Sequence, residues 1–146
     1  MPNPKPTFHV GVIITLYNDQ GQILLAKRSL FKTHAPGVWE NLSGAIEMGE
    51  QPVEALKREL AEEIGAKVKY QVGPVYNTFY GKLQNDRHFI GISFLCHYLS
   101  GNITLNQEHT DYQWVSLDQA IHLTTTPGLK QEFKNLKSSH HHLFSP

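Results

Sequence analysis

An α/β sandwich is the fold class this sequence predicts. Three features point to it: strand-like apolar runs on both sides of one amphipathic helix, turn chemistry between the runs, and helical segments after the last strand. Residues 10–16 and 22–26 are rich in aliphatic and β-branched side chains, and Asn18-Asp19-Gln20-Gly21 between them suits a hairpin turn. A short strand over residues 38–42 follows Pro36-Gly37. The next element is a helix, with Pro52 suited to its first position and Gly65 to its C-terminal cap. At about 100° per residue, Val53, Leu56, Leu60 and Ile64 share one face and form the expected buried stripe. Glu63 and Glu59 border that stripe, followed by Ala55 and Glu62 and then Arg58, so the carboxylates fall at the edge of the core. Further strands are expected over residues 70–80, 88–98 and 112–115, with a turn at Gln84-Asn85-Asp86. Helices are expected over residues 116–123, capped by Ser116 with Gln119 three residues on, and over residues 129–136.

At 146 residues the chain is long enough for one domain with a real core and too short for two ordinary ones. The folded unit is expected over residues 7–137, between a flexible N-terminus (1–6) and a flexible C-terminal tail (138–146) that carries His140, His141 and His142. Thirteen basic residues balance thirteen acidic ones, so no overall positive field argues for nucleic acid as a partner. Cys96 is the sole cysteine, which excludes an internal disulfide and suits a reducing compartment. No apolar run near the N-terminus is long enough to span a bilayer, and the expectation is a soluble, cytoplasmic protein without a membrane partner.

The chemistry concentrates between Gly44 and Ala66, GAIEMGEQPVEALKRELAEEIGA. Glu59 lies one helical turn from both Glu62 and Glu63, and like charges at that spacing cost an isolated helix roughly 0.2–0.5 kcal/mol per pair. A cation among them would remove that cost. Clustered carboxylates are the hard oxygen ligands Mg²⁺ takes, commonly sharing the ion with a substrate phosphate. An acidic, solvated helix face is the alternative.

This stretch resembles the Nudix box, G-x5-E-x7-R-E-U-x-E-E-x-G-U, with U a bulky aliphatic residue. Gly44, Glu50, Arg58, Glu59, Leu60, Glu62, Glu63 and Gly65 fall on the pattern, and Ala66 is smaller than its last position asks. The resemblance implies a mixed β-sheet between helices, the Nudix α/β/α sandwich, with the box forming a loop, a helix and a loop. It implies that Glu59, Glu62 and Glu63 supply ligands to Mg²⁺, with Mn²⁺ as the alternative ion, and that one of them handles the attacking water's proton. It pairs Arg58 with Glu50 to orient those carboxylates, and it places a backbone carbonyl near Gly44 at the metal. Gly65 is expected only as a cap. Relatives often carry Pro-Gly-Gly where this chain has Leu42-Ser43-Gly44, a departure at Ser43. Homodimers are frequent in the family, and nothing in this sequence marks such an interface.

Outside the box, Glu108 looks like the additional acidic residue that many Nudix enzymes bring from a later loop as ligand or base, against the plain reading of a solvated glutamate. Asp111 is a weaker competitor, and His109 is expected in an exposed loop. Arg28, with Lys27 and Lys32 nearby, could clamp phosphates, Arg28 best through its bidentate fork. Trp39, Phe31, Tyr76, Phe79 and Tyr80 offer a base-stacking wall, of which at most two are expected to touch substrate, Trp39 foremost.

The resemblance implies hydrolysis of a small-molecule diphosphate, a nucleoside diphosphate linked to X. Gly37-x-Trp39 ahead of the box is similar to nucleoside-triphosphate pyrophosphohydrolases, including those acting on oxidised dGTP. ADP-ribose, dinucleotide or coenzyme A pyrophosphatase activity is the alternative, and a noncatalytic nucleotide-sensing module is another. Isopentenyl diphosphate isomerase chemistry is disfavoured, because Asn41, Leu42 and Ser43 stand where its cysteine would follow the tryptophan.

Overall fold

The computed structural model describes residues 3, 5–82 and 86–144. Its seven-stranded mixed sheet comprises β1 (Phe8–Tyr17), β2 (Ile23–Arg28), β3 (Trp39–Glu40), β4 (Leu42–Ala45), β5 (Lys69–Lys82), β6 (His88–Ser100) and β7 (His109–Val115). The helices among the described residues are α1 (Pro52–Ile64), α2 (Leu117–Leu123), α3 (Pro127–Ser139) and α4 (His141–Phe144).

The Asn18–Gly21 turn forms because the Asn18 side-chain oxygen accepts the N–H groups of Gln20 and Gln22, both at 3.0 Å, and Gly21 takes φ +73°. Beyond Tyr17↔Ile23 the two strands part. The segment after β2 bridges the gap, with β3 staying on β2 and β4 running antiparallel along β1 from Gly11↔Ala45 to Ile14↔Leu42. The single strand expected over residues 38–42 is therefore two strands that change partner at Asn41. On its other edge β1 runs parallel to β6, which pairs antiparallel with β5, while β7 pairs with β2.

Both faces of the sheet are covered, which explains the near-continuous apolar runs in β1, β2 and β6. Val12, Ile14, Leu24, Ala26 and Cys96 face α1, and Ile23, Leu25 and Leu95 face α2 and α3. Helix α1 buries Ala55, Leu56, Leu60 and Ile64 together with Glu59 and Glu63. Val53, expected in the same stripe, is 38% exposed, because the buried face runs through Ala55, Leu56, Glu59, Leu60, Glu63 and Ile64 instead. Helix α2 starts with the expected capping box, Ser116 accepting from the Gln119 N–H at 3.1 Å while the Gln119 side chain caps the Ser116 N–H at 3.0 Å.

The segment expected as a flexible tail continues helically to Phe144, where Leu143 and Phe144 pack against the second core and the Phe144 ring meets Tyr17 at 5.8 Å. Of the expected turn at 84–86, Gln84 and Asn85 lie outside the described residues. No described helix is long and apolar enough to cross a membrane.

Candidate active site

The parting of β1 from β2 places the β3–β4 segment against α1, and Gly44 is where they come closest. A side chain at Gly44 would run into the carboxyl end of Glu59, so this glycine is required by close approach and its φ is ordinary. Glu59 is nearly buried there, and its Oε1 accepts Arg58 Nη1 at 2.7 Å.

Arg58 ties the whole N-terminal half of the box together. Its Nε and Nη2 donate to the two oxygens of Glu50 at 2.7 and 2.9 Å, and Nη2 also donates to the Ala45 carbonyl at 2.9 Å. Glu50 in turn accepts the Glu47 N–H at 2.9 Å. The Arg58 hydrogen bonds hold the Glu50 carboxyl down to about 2, and the same contacts raise the Arg58 guanidinium above its ordinary value. Helix α1 is entered through a second capping box, Gln51 with Glu54, and leaves through Gly65 at φ +99°.

Glu63 is the most perturbed carboxylate. It is 2% exposed, and its Oε2 has no hydrogen-bond partner. Burial, then the charges of Glu59, Glu108 and Glu40, push it up to about 9, against which the Ser43 N–H stabilises its charge. Burial also raises Glu59, opposed by Arg58 and reinforced by Glu62 and Glu108. Glu108 therefore belongs to the cluster despite lying 45 residues beyond Glu63 in the chain. Its loop is fastened to the end of β2, where the Ser29 N–H donates to the Glu108 carbonyl at 2.9 Å and Ser29 Oγ to the Gln107 carbonyl at 2.5 Å. Lys32 Nζ reaches Glu108 Oε1 at 3.1 Å.

Glu40 and His109 carry no motif signal, and the fold joins them. Glu40 Oε1 accepts both Arg28 Nη1 and His109 Nε2 at 3.1 Å, and Arg28 Nε donates to the His34 carbonyl at 2.9 Å. The partners Glu40 and His109 are 69 residues apart, so no local pattern could reveal them. His109 is 5% exposed at the start of β7, which corrects the expectation of an exposed loop; pairing with β2 draws it in. Asp111, on the same strand, is exposed and forms no part of the cluster.

Beside this cluster lies a cavity of about 550 Å³ between the sheet and α3. Arg28, Glu40 and Ser43 line it on the carboxylate side, Phe79, Tyr80 and Phe89 give it an aromatic wall, and Leu129 and Glu132 come from α3. Trp39, expected at the substrate, does not line it. Alternation along β3 turns Glu40 toward the cluster, and the Trp39 indole is taken up by packing against the second core instead. Tyr76 is likewise taken up by packing and by a 2.8 Å hydrogen bond to Thr15, and Phe31 is 68% exposed.

The carboxylate set suits a hard divalent cation. The buried Glu63 Oε2, unpartnered beside Glu59 and Glu108, leaves an oxygen free for a cation, and all the donors are oxygens. Among the described residues no three His, Cys, Asp or Glu side chains are gathered closely enough to enclose an ion. Arg58 draws Glu59 to itself, and Glu62 is 54% exposed on the outer side with Arg58 Nη1 at 3.5 Å. The expected ligand set of Glu59, Glu62, Glu63 and the Gly44 backbone is thus assembled along one helix and its preceding strand without converging on one point.

Comparison with known proteins agrees with this geometry. The family model for the NUDIX domain matches residues 7–136. A protein named nucleoside triphosphatase NudI from Klebsiella pneumoniae is 31% identical over 118 residues, which cover 75% of this chain and 84% of that protein. A protein of the same name from Escherichia coli is 27% identical, over 76% of this chain and 84% of its own length. Among solved structures, the MutT protein of Methanosarcina mazei Go1 superposes with a TM-score of 0.78 at 25% identity, covering 95% of this chain and 99% of that one. With the box residues, the helix they build and the sheet beneath it all in place, this chain belongs to the Nudix family of hydrolases, which act on pyrophosphate bonds.

Proposed function

We propose that this protein is a Mg²⁺-dependent pyrophosphohydrolase that cleaves nucleoside triphosphates to the monophosphate and pyrophosphate. The observation that carries the reading is the adjacency of two unlike regions: a carboxylate cluster around the unpartnered Glu63 oxygen, and an aromatic-walled cavity of about 550 Å³, with Arg28, Glu40 and Ser43 between them. The cavity is within the range typical of small-molecule sites and takes the nucleoside, while the cluster takes the phosphates. The names of the NudI relatives support a triphosphate as substrate.

Glu59, Glu62 and Glu63 would hold the divalent ion, joined by Glu108 from its loop and by a backbone carbonyl near Gly44. When bound, such an ion neutralises diphosphate oxygens and lowers the pKa of a coordinated water. Water adds to one phosphorus of the anhydride, the bridging P–O bond breaks, and the water's proton passes to a carboxylate of the cluster. Arg58 keeps Glu50 and Glu59 in place during this step, and Arg28, held by Glu40 and the His34 carbonyl, presents its remaining N–H groups toward phosphate. The protein contributes mainly placement and charge.

The test is a panel of canonical and oxidised nucleoside triphosphates, ADP-ribose, NADH, coenzyme A and dinucleoside polyphosphates, incubated with Mg²⁺ and with EDTA, with products resolved by mass. Metal-dependent monophosphate and pyrophosphate from triphosphates is the expected result. Cleavage confined to another class would overturn the substrate assignment, and ligand-induced stabilisation without turnover on any substrate would favour a sensing module.

A further inference from the structure

The deep side of the cavity contains a buried carboxylate that the hydrolytic step does not use. Glu132 on α3 is 6% exposed and lines the cavity. Asn77 Nδ2 and Ser93 Oγ donate to it at 3.0 and 2.5 Å, and both bonds end on the same oxygen, Oε1. The Tyr76 hydroxyl lies beside it, its ionisation pushed up by burial and by the Glu132 charge, and it continues through Thr15 to the Asn41 amide. These bonds orient the carboxylate and exclude rotation. A carboxylate accepts about four hydrogen bonds, so Glu132 keeps acceptor capacity toward the space it faces.

Beside it stand two aromatic rings, tilted 46° to each other, over glycine positions of the sheet. Gly11 and Gly91 are paired across β1 and β6, and Phe79 pairs with Gly91 across β5 and β6. A side chain at Gly11 would enter the Phe89 ring, and one at Gly91 the Phe79 ring. Two aromatic rings, 5.9 Å apart, thus lie over sheet positions that have no side chains. A planar heterocycle stacked there would present its edge to an acceptor-only group.

We propose that Glu132 is a specificity-determining residue that reads a pair of adjacent N–H donors, the 2-amino-4-oxopyrimidine edge shared by guanine and by pterins. The inference rests on the nucleotide reading of the cavity. Adenine and cytosine place a ring acceptor next to their amino donor, and uracil and thymine flank their one N–H with two carbonyls, so each sets an acceptor against the carboxylate. Guanine sets two adjacent N–H donors, and no acceptor, against the remaining oxygen, Oε2, so both bonds to the charged group are favourable. The edge is the same in guanine and its 8-oxo derivative, so Glu132 does not select between them.

The experiment compares GTP with ITP, which lacks the 2-amino group, and with ATP, CTP, UTP and dihydroneopterin triphosphate on the wild-type protein. Binding of GMP, IMP, AMP and CMP by calorimetry in EDTA runs in parallel. GTP should exceed ITP in kcat/KM by on the order of tenfold to a hundredfold, and GMP should outbind IMP by a similar factor. Glu132→Gln should shrink both ratios toward one while ATP turnover falls less than GTP turnover. The pterin arm separates the two sources of the edge. If triphosphates are cleaved with no guanine or pterin preference, the Glu132 assignment is overturned and the hydrolase reading stands. If nothing is cleaved yet GMP outbinds IMP, the hydrolase reading fails and the Glu132 assignment survives. Should Glu132→Gln not fold, the wild-type GTP to ITP and GMP to IMP ratios decide alone.

Discussion

Arg58 grips Glu50 with two parallel hydrogen bonds, Nε to Oε2 at 2.7 Å and Nη2 to Oε1 at 2.9 Å, and gives its remaining nitrogen, Nη1, to Glu59 at 2.7 Å. One guanidinium therefore joins the loop before α1 to the carboxylate that packs beneath Gly44. Lysine has a point charge and no fork, and cannot make these three contacts from one plane.

Arg58→Lys should accordingly lower turnover roughly 10- to 100-fold, the usual effect of losing a group that orients metal-ligating residues. Glu50→Gln should do much the same, and the double variant should lose less than the sum, because both remove one contact. Additive losses in steady-state kinetics would place the two residues in separate roles. The depressed Glu50 also contributes stability that is complete above its ordinary value of 4.5 and lost as pH falls through about 2. The acid limb of a melting-temperature profile should therefore flatten in Glu50→Gln.

Gly44→Ala inserts a methyl group where the Glu59 carboxyl sits. The backbone accepts alanine there, so the expected outcome is a folded protein with a displaced Glu59, a raised Mg²⁺ requirement and turnover reduced by about a hundredfold. Circular dichroism and a metal titration separate this from misfolding. Wild-type metal dependence in the variant would show that Glu59 is not a ligand.

Glu63 sets the response to pH without metal. Its carboxyl rises from 4.5 to about 9, so the folded chain holds a proton that the unfolded chain releases. The stabilisation is complete below about 4.5 and is lost as pH rises through about 9. In EDTA the melting temperature should fall between pH 6 and pH 9, and Glu63→Gln should remove much of that fall. Added Mg²⁺ should stabilise the wild type at pH 8 and leave the variant unmoved, with turnover down on the order of a hundredfold or more. A variant that keeps Mg²⁺-dependent turnover near the wild-type rate would remove Glu63 from the metal site.

His109→Ala takes away one of the two donors on Glu40 Oε1 and frees the carboxylate that orients Arg28. KM for the triphosphate should rise severalfold while kcat changes little, and His109→Gln, which restores a donor, should recover part of the loss. A fall in kcat at constant KM would assign His109 to the chemical step instead.

Much of this protein could be read from neighbouring residues in the chain. The hairpin turn, both ends of α1 and the α2 capping box depend on residues a few positions apart, so their spacing is visible as pattern, while the Arg58–Glu50 pair is implied by the family resemblance. The same locality explains the family resemblance, since the box is one helix and the loop before it. What the tertiary structure decided depends on strands that part and change partners. Trp39 packs into the second core because β3 pairs with β2 in one register, and His109 is buried because β7 joins the same strand. The C-terminal segment folds because Tyr17 and the second core accept Leu143 and Phe144. Glu132 meets Asn77 and Ser93 across 55 and 39 residues. Contacts at such separations leave no periodicity behind, because a buried polar partner is chosen by where the sheet and α3 place it and not by its neighbours in sequence.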